Sequence, residues 1–296
     1  MEYVLFIADK FSDELRSKKD RFPGGAERTD EAAIEACPYP VKQIIWSKLQ
    51  PTLIEDSLLV VVGNSGSAKP SHFEMLAKYR KHVLFEHDIR ICYWRGNFPV
   101  AAEPIHRFSH RCLCPHRGMR HLFESALGVI YLTHLQKKYY DENRFYNDFG
   151  RSAILGSSLF DSEFLDYVDN TSAAEKNEST LIPGTSTKIK GAKQAQAYCE
   201  KKGWEFTKVK NFTPKEVWEA MHKAKRFVYL PIGLEPAGRM PVEARLLGCE
   251  VIVNENVGVA EEEVWKQNDE DFDRFLRAQP RRFWKLVGAF STDFRN

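Results

Sequence analysis

The sequence predicts an α/β protein with parallel sheets, and two observations carry that prediction. Short runs rich in β-branched and aromatic residues recur along the chain, several of them continuously apolar, as strands covered on both faces are. Helical patterns fall between many of these runs, and strand–helix alternation builds parallel sheets with crossover helices. The 296 residues suffice for two modest domains at the roughly 100–200 residues usual for one.

The first strand is expected over residues 3–8, where Tyr3 to Ala8 are apolar. No basic n-region and no small-residue cleavage site accompanies it, so it reads as a buried strand rather than a signal peptide. A polar loop and the pair Gly24-Gly25 lead into a helix over 26–36. Strands follow at 41–46, 58–63, 83–86 and 128–132, with helices at 71–79 and 119–126. Further strands are expected at 153–156, 180–183, 205–209, 226–231 and 250–254, and helices at 192–202, 214–223 and 240–247. Thr213 is a natural N-cap before Pro214 at N1, with Glu216 in the first turn. Gly191, Gly203 and Gly248 punctuate the later helices. Residues 169–179 carry almost no large apolar side chain and read as a surface loop or linker near a domain boundary. The helical segment 272–294 carries Phe275, Leu276, Phe283, Trp284, Leu286 and Phe290, which need something to pack on. The expected division is 1–150 and 151–296.

Composition narrows the function classes. Lys and Arg number 43 and Asp and Glu 41, a net charge of only +2. That balance gives no bulk argument for nucleic acid or a membrane surface. No apolar run approaches the roughly 20 residues of a membrane helix. The six cysteines are expected as reduced thiols of a cytoplasmic protein.

The most informative stretch runs from Phe227 through Pro231, Gly233, Glu235, Gly238, Arg239, Glu243, Ala244 and Gly248 to Val251 and Ile252. It reads as a buried strand, a Gly/Pro-rich turn, a helix, a glycine cap and another strand. Ligands of open α/β sheets bind beyond the C-terminal ends of strands, where a helix start presents N–H groups to a phosphate. Glu235 and Glu243, eight positions apart, both have the reach to enter one cleft and accept from sugar hydroxyls. The bland alternative is a pair of solvated helix-end acids on an ordinary βαβ unit.

This stretch resembles the Glu-x7-Glu signature of retaining glycosyltransferases of the GT-B fold. The resemblance implies two Rossmann-like domains whose parallel sheets face a central cleft, with the last helix placed to cross back onto the first domain. It implies Glu235 beside the donor sugar and Glu243 on the ribose hydroxyls. Upstream, Gly184, Thr185, Ser186, Lys190 and Gly191 resemble the family's glycine turn and Lys-Gly helix start, which puts Lys190 on the donor diphosphate as a point charge. Where the family usually has an arginine, this chain has Thr185, with Lys188 or Arg239 as substitutes. Asn211 and Phe212 resemble the segment that holds the nucleobase. In the first half, Gly24-Gly25-Ala26-Glu27 resembles a stretch that faces the cleft, and the consecutive glycines admit close backbone approach. His87 ends a strand on the acceptor side, with a satisfied structural histidine as its alternative; Asn64 to Ser67 end the strand before it.

A rival cluster lies at 106–121, which holds four His and two Cys in 16 residues, with Arg107, Arg111, Arg117 and Arg120. The Cys112-x-Cys114 spacing alternates faces in a strand, so it does not read as a zinc site. The expected reaction is hexose transfer from a nucleoside diphosphate sugar to an acceptor hydroxyl of a glycan, lipid or small molecule, with retention. No metal or other cofactor and no nucleic acid is expected. The alternative is a non-catalytic nucleotide- or partner-binding protein derived from such an enzyme; a third reading is a metal- or nucleic-acid-binding module at 106–121.

Overall fold

The computed structural model describes residues 2–12, 22–91, 119–143, 150–171, 175–185 and 188–291, with only the backbone described at Asn143 and Lys188. In chain order the first part holds β1 (Val4–Ala8), α1 (Gly25–Glu35), β2 (Val41–Ile45), α2 (Pro51–Glu55), β3 (Leu59–Val62), α3 (Pro70–Tyr79), β4 (His82–Glu86), α4 (Arg120–Ser125), β5 (Gly128–Tyr131), α5 (His134–Asn143) and β6 (Ser152–Ile154). Then come α6 (Ser162–Asn170), β7 (Asn177–Pro183), α7 (Ala192–Lys202), β8 (Phe206–Val209), α8 (Pro214–Lys223), β9 (Ala224–Tyr229), α9 (Arg239–Leu246), β10 (Glu250–Val253) and α10 (Asp269–Phe290).

Two sheets result. One has six strands in the order β2-β1-β3-β4-β5-β6, and the other has four in the order β10-β9-β7-β8. Every pairing between these strands is parallel. The apolar runs explain why. Alternate residues of a strand face opposite sides, and both sides of the first sheet are covered. Leu5, Ile7, Val60, Val62, Leu84 and Tyr131 pack with Trp46, Leu76, Leu122, Phe123 and Tyr140 on one face. Val4, Phe6, Val61, Val83, Phe85 and Ile130 pack with Ala33, Phe283, Trp284 and Val287 on the other.

α10 is shared between the two cores. Its first half sends Phe272 and Leu276 into the core of the second sheet. Its second half covers the first sheet, where Phe283 sits 4.6 Å from Phe85, ring to ring, and Trp284 Nε1 donates to Ala33 O at 2.7 Å. Pro280 lies inside the helix between the two halves.

Two local readings are corrected. Residues 177–179, expected within a linker, open β7, where Asn177 pairs with Ala224 of β9 and Glu178 accepts from Lys225 at 2.6 Å and Arg226 at 3.1 Å. α2, α5 and α6 were not foreseen. α6 is short and polar outside, but Asp161 caps it by accepting from Phe164 N at 3.0 Å, and Phe164 is fully buried. The first sheet also runs past residue 150, since β6 pairs with β5 through Ile154.

Candidate active site

β7 and β9 run side by side, and the turns beyond their C-terminal ends carry the two central groups. Lys190 ends the one-turn 3-10 helix Lys188–Lys190 after β7. Gly191 follows with φ +68°, and a Cβ there would stand 1.8 Å from Leu230 O. Only glycine lets that turn lie against the end of β9. Glu235 sits in the loop after β9. Its backbone is held on both sides, donating from N to Asn256 O at 2.8 Å and accepting at O from Gly258 N at 2.9 Å. Lys190 Nζ donates to Glu235 Oε2 at 2.5 Å, and the Tyr229 hydroxyl donates to the same oxygen at 2.7 Å. Burial works against a charged Lys190, but Glu235 outweighs it and the ammonium holds its proton more tightly than usual. Burial, then Glu235, pushes the Tyr229 phenol well above its usual range, so it stays a donor.

The first sheet meets this loop. The Thr133 hydroxyl, just after β5, donates to Pro236 O, and the Asp88 carboxylate after β4 strengthens the charge on Lys190. His87, at the end of β4, is 6% exposed. Its Nε2–H donates to Asp30 Oδ1 on α1 at 2.6 Å. Burial disfavours the imidazolium, yet Asp30 outweighs it and raises the proton affinity of His87. His87 Nδ1 has no hydrogen-bond partner among the described residues. The histidine expected to meet an acceptor, with a structural histidine as its alternative, is thus a buried one paired to a carboxylate.

Glu243 and Arg239, expected on the donor, are both ion-paired inside the protein. Both belong to a buried network of two guanidiniums and two carboxylates. Arg28 of α1 donates to Asp161 at 2.9 Å and to Glu243 at 3.2 Å. Arg239 donates to Asp161 at 2.8 Å, to Glu243 at 2.8 Å and to Leu159 O at 2.6 Å. None of the four residues is more than 7% exposed. Arg28 lies over the Trp218 ring at 4.7 Å and Arg239 over Phe160 at 4.5 Å. Burial would raise the Asp161 carboxyl, but Arg239 and Arg28 hold it below its usual range. Glu243 thus braces the first α1 turns against α9, and in this arrangement Arg239 is committed to carboxylates rather than open to a phosphate. The physical reason is charge matching: a buried acid is costly unless paired, and Arg28 supplies a partner from 215 positions away.

The other expected residues lie around this centre. Gly238 caps α9 in the left-handed region at φ +73°, where a Cβ would meet Val257 at 2.7 Å. Gly25 is exposed and faces the Arg239 side chain at 3.8 Å, and Gly24 is exposed beside Glu27. Thr185 is exposed after β7. Asn211 is exposed after β8 with φ +59°, and Phe212 beside it is half-buried. β7 and β8 end close together, with Gly184 N donating to Val209 O at 2.9 Å. Ser186 and residues 106–118 lie outside the described residues.

Tyr229, Arg28, Asp30, Thr133 and Asp161 are the residues that sequence reasoning missed. Tyr229 sits in an apolar run and reads as core. Arg28 lies three residues after the glycine pair, and an arginine one turn into a helix that faces a cleft was the signal available for it. Asp161 before Ser162-Glu163 had the form of an N-cap.

No family model matches the chain, and no curated protein matches it. Solved structures do resemble it. Anabaena Alr3699/HepE in complex with UDP and glucose superposes with a TM-score of 0.54 at 12% identity, covering 99% of this chain and 95% of that one. The same protein in complex with UDP-glucose gives 0.52 at 14% identity, over 99% and 93%. WaaG, a glycosyltransferase involved in lipopolysaccharide biosynthesis, gives 0.49 at 15%, over 99% and 94%. The fold is that of the GT-B glycosyltransferases, across the whole length of the chain.

Proposed function

We propose that the chain transfers a hexose from a nucleoside diphosphate sugar, UDP-glucose being the first donor to test, to an acceptor hydroxyl with retained configuration. The observation that carries this reading is the meeting of Lys190 and Glu235 at 2.5 Å beyond the ends of two parallel strands, on the side where Thr133 of the first sheet contacts the loop. Support comes from the fold and from the UDP and UDP-glucose bound by HepE. In this reading Lys190 offsets the charge on the leaving diphosphate, and preorganised charge there lowers the barrier. Glu235 accepts from the donor sugar's hydroxyls, while the two sheets orient donor and acceptor. His87, held by Asp30, lies on the acceptor side. Asn211 and Phe212 lie where the base would rest, and Thr185 supplies a hydroxyl where the family has a cation.

The test is calorimetry with UDP and UDP-glucose, followed by hydrolysis and transfer assays with and without magnesium. GDP-, ADP- and CMP-sugars serve as alternatives. Lys190→Met is expected to lower turnover by about 10²-fold or more while melting like the parent protein. Turnover at the parent rate would remove Lys190 from the mechanism. A second reading is favoured by Thr185, which stands where the family has a cation for the diphosphate: a nucleotide- or partner-binding protein without turnover. Tight UDP binding with no hydrolysis or transfer of any donor would select it.

A further inference from the structure

Glu235 Oε2 carries two donors at once, the Lys190 ammonium at 2.5 Å and the Tyr229 hydroxyl at 2.7 Å. The donors differ in kind. Lys190 is a cation on a flexible stem, with 39% of its side chain exposed. Tyr229 is 2% exposed, ends β9 in register with Val253, and lies with its ring parallel to Phe227 at 6.0 Å. One partner is free to move and the other is not.

We propose that Tyr229 is a positioning residue of the donor site, holding Glu235 so that Lys190 can leave that carboxylate for the donor's diphosphate. This rests on the reading of Lys190 and Glu235 given above. A diphosphate offers the ammonium more negative charge than one carboxylate does, so Lys190 swings to it when a nucleotide binds. Glu235 would then be left without its cation at a position where its side chain is only 15% exposed. A poorly solvated carboxylate with no donor is costly. The fixed hydroxyl removes that cost. Because it is neutral, it does so without competing for the diphosphate. The sugar's own hydroxyls reach Glu235 only when a whole donor is bound, so Tyr229 matters most for the bare nucleotide.

The experiment is a double-mutant cycle read by calorimetry with UDP and with UDP-glucose. Tyr229→Phe keeps the ring packed on Phe227 and removes one oxygen, so it is expected to melt with the parent. It should weaken UDP binding about tenfold, the scale of one hydrogen bond to a charged group. It should weaken UDP-glucose binding less, since a sugar hydroxyl supplies the missing donor. In a Glu235→Gln background, where no charge needs holding, Tyr229→Phe should change UDP affinity less than about twofold. UDP affinity of Tyr229→Phe within twofold of the parent, or an equal loss in the Glu235→Gln background, would overturn the role of Tyr229 alone. A parent protein that binds neither UDP nor UDP-glucose would overturn the donor site and this proposal with it.

Discussion

Replacing Asp161 with serine separates the two duties of that residue. Serine still caps α6, so the bond to Phe164 N has a substitute. What is lost is the carboxylate that accepts from Arg28 at 2.9 Å and Arg239 at 2.8 Å. Two guanidiniums, neither more than 7% exposed, then share Glu243 alone. Removing one side of a buried pair costs about 3–5 kcal/mol, because an uncompensated charge stays inside. For a chain of this size that is a fall of roughly 10 °C in melting temperature. Asp161→Ser with Arg28→Met removes one charge of each sign and leaves the Arg239–Glu243 pair, so it should regain at least about 1 kcal/mol by coupling between contacting residues. The pH dependence has a definite sign. Arg239 and Arg28 hold the Asp161 carboxyl below its usual range, so its contribution is present above about pH 4, the unfolded value. It is lost as pH falls through the folded value, and the gap between parent and Asp161→Ser should narrow there. Calorimetric melting of the parent, Asp161→Ser, Arg28→Met and the double variant from pH 3 to 8 measures all of this. A loss below about 1 kcal/mol at pH 7, or additive single variants, would refute the network as an energetic unit.

His82 offers a second pH test. Burial pushes its imidazole down to about 4, while its Nε2–H donates to Leu122 O at 2.8 Å. The unfolded chain takes that proton from about pH 6.5 and the folded chain only near 4, so stability should fall as pH drops across that window, by on the order of 3 kcal/mol. His82→Gln should flatten this slope in pH-dependent urea unfolding; an unchanged slope refutes it. Gly191→Ala places a Cβ 1.8 Å from Leu230 O at φ +68°. The strain, about 1–3 kcal/mol for the backbone alone, should displace Lys190. Melting temperature and UDP affinity should both fall, and unchanged values would show that the turn is not held as described.

The parts of the fold that were legible are those with local causes. β1, β3 and β4 are short apolar runs, and such runs make buried strands wherever they lie. α8 announced itself through Thr213, Pro214 and Glu216, and the capping box between Thr213 and Glu216 is present. Gly191 and Gly238 mark turns of positive φ that a reader can anticipate from the residue alone. What was not legible depends on distance. Nothing near Glu243 says that Arg28 will reach it. Nothing in a strand-like run says that Tyr229 will turn its hydroxyl onto a loop six residues on. Residues 177–179 look like linker until the cations of β9 come alongside Glu178. Lys190 and Glu235 could be brought to one donor on paper only because each stands in a stretch that resembles the family's.

The placement of α10 has a consequence for how the protein is made. Synthesis delivers β1 and β4 long before Phe283, Trp284 and Val287, the side chains that close over Phe6 and Phe85. Until those arrive, the part of the six-stranded sheet that α10 covers lacks its cover, and exposed apolar surface of that kind invites aggregation. Pro280 sits where the helix passes from one core to the other and lacks the N–H that would tie its turn to the preceding one. The last stretch of α10 therefore closes a sheet whose six strands all precede it along the chain.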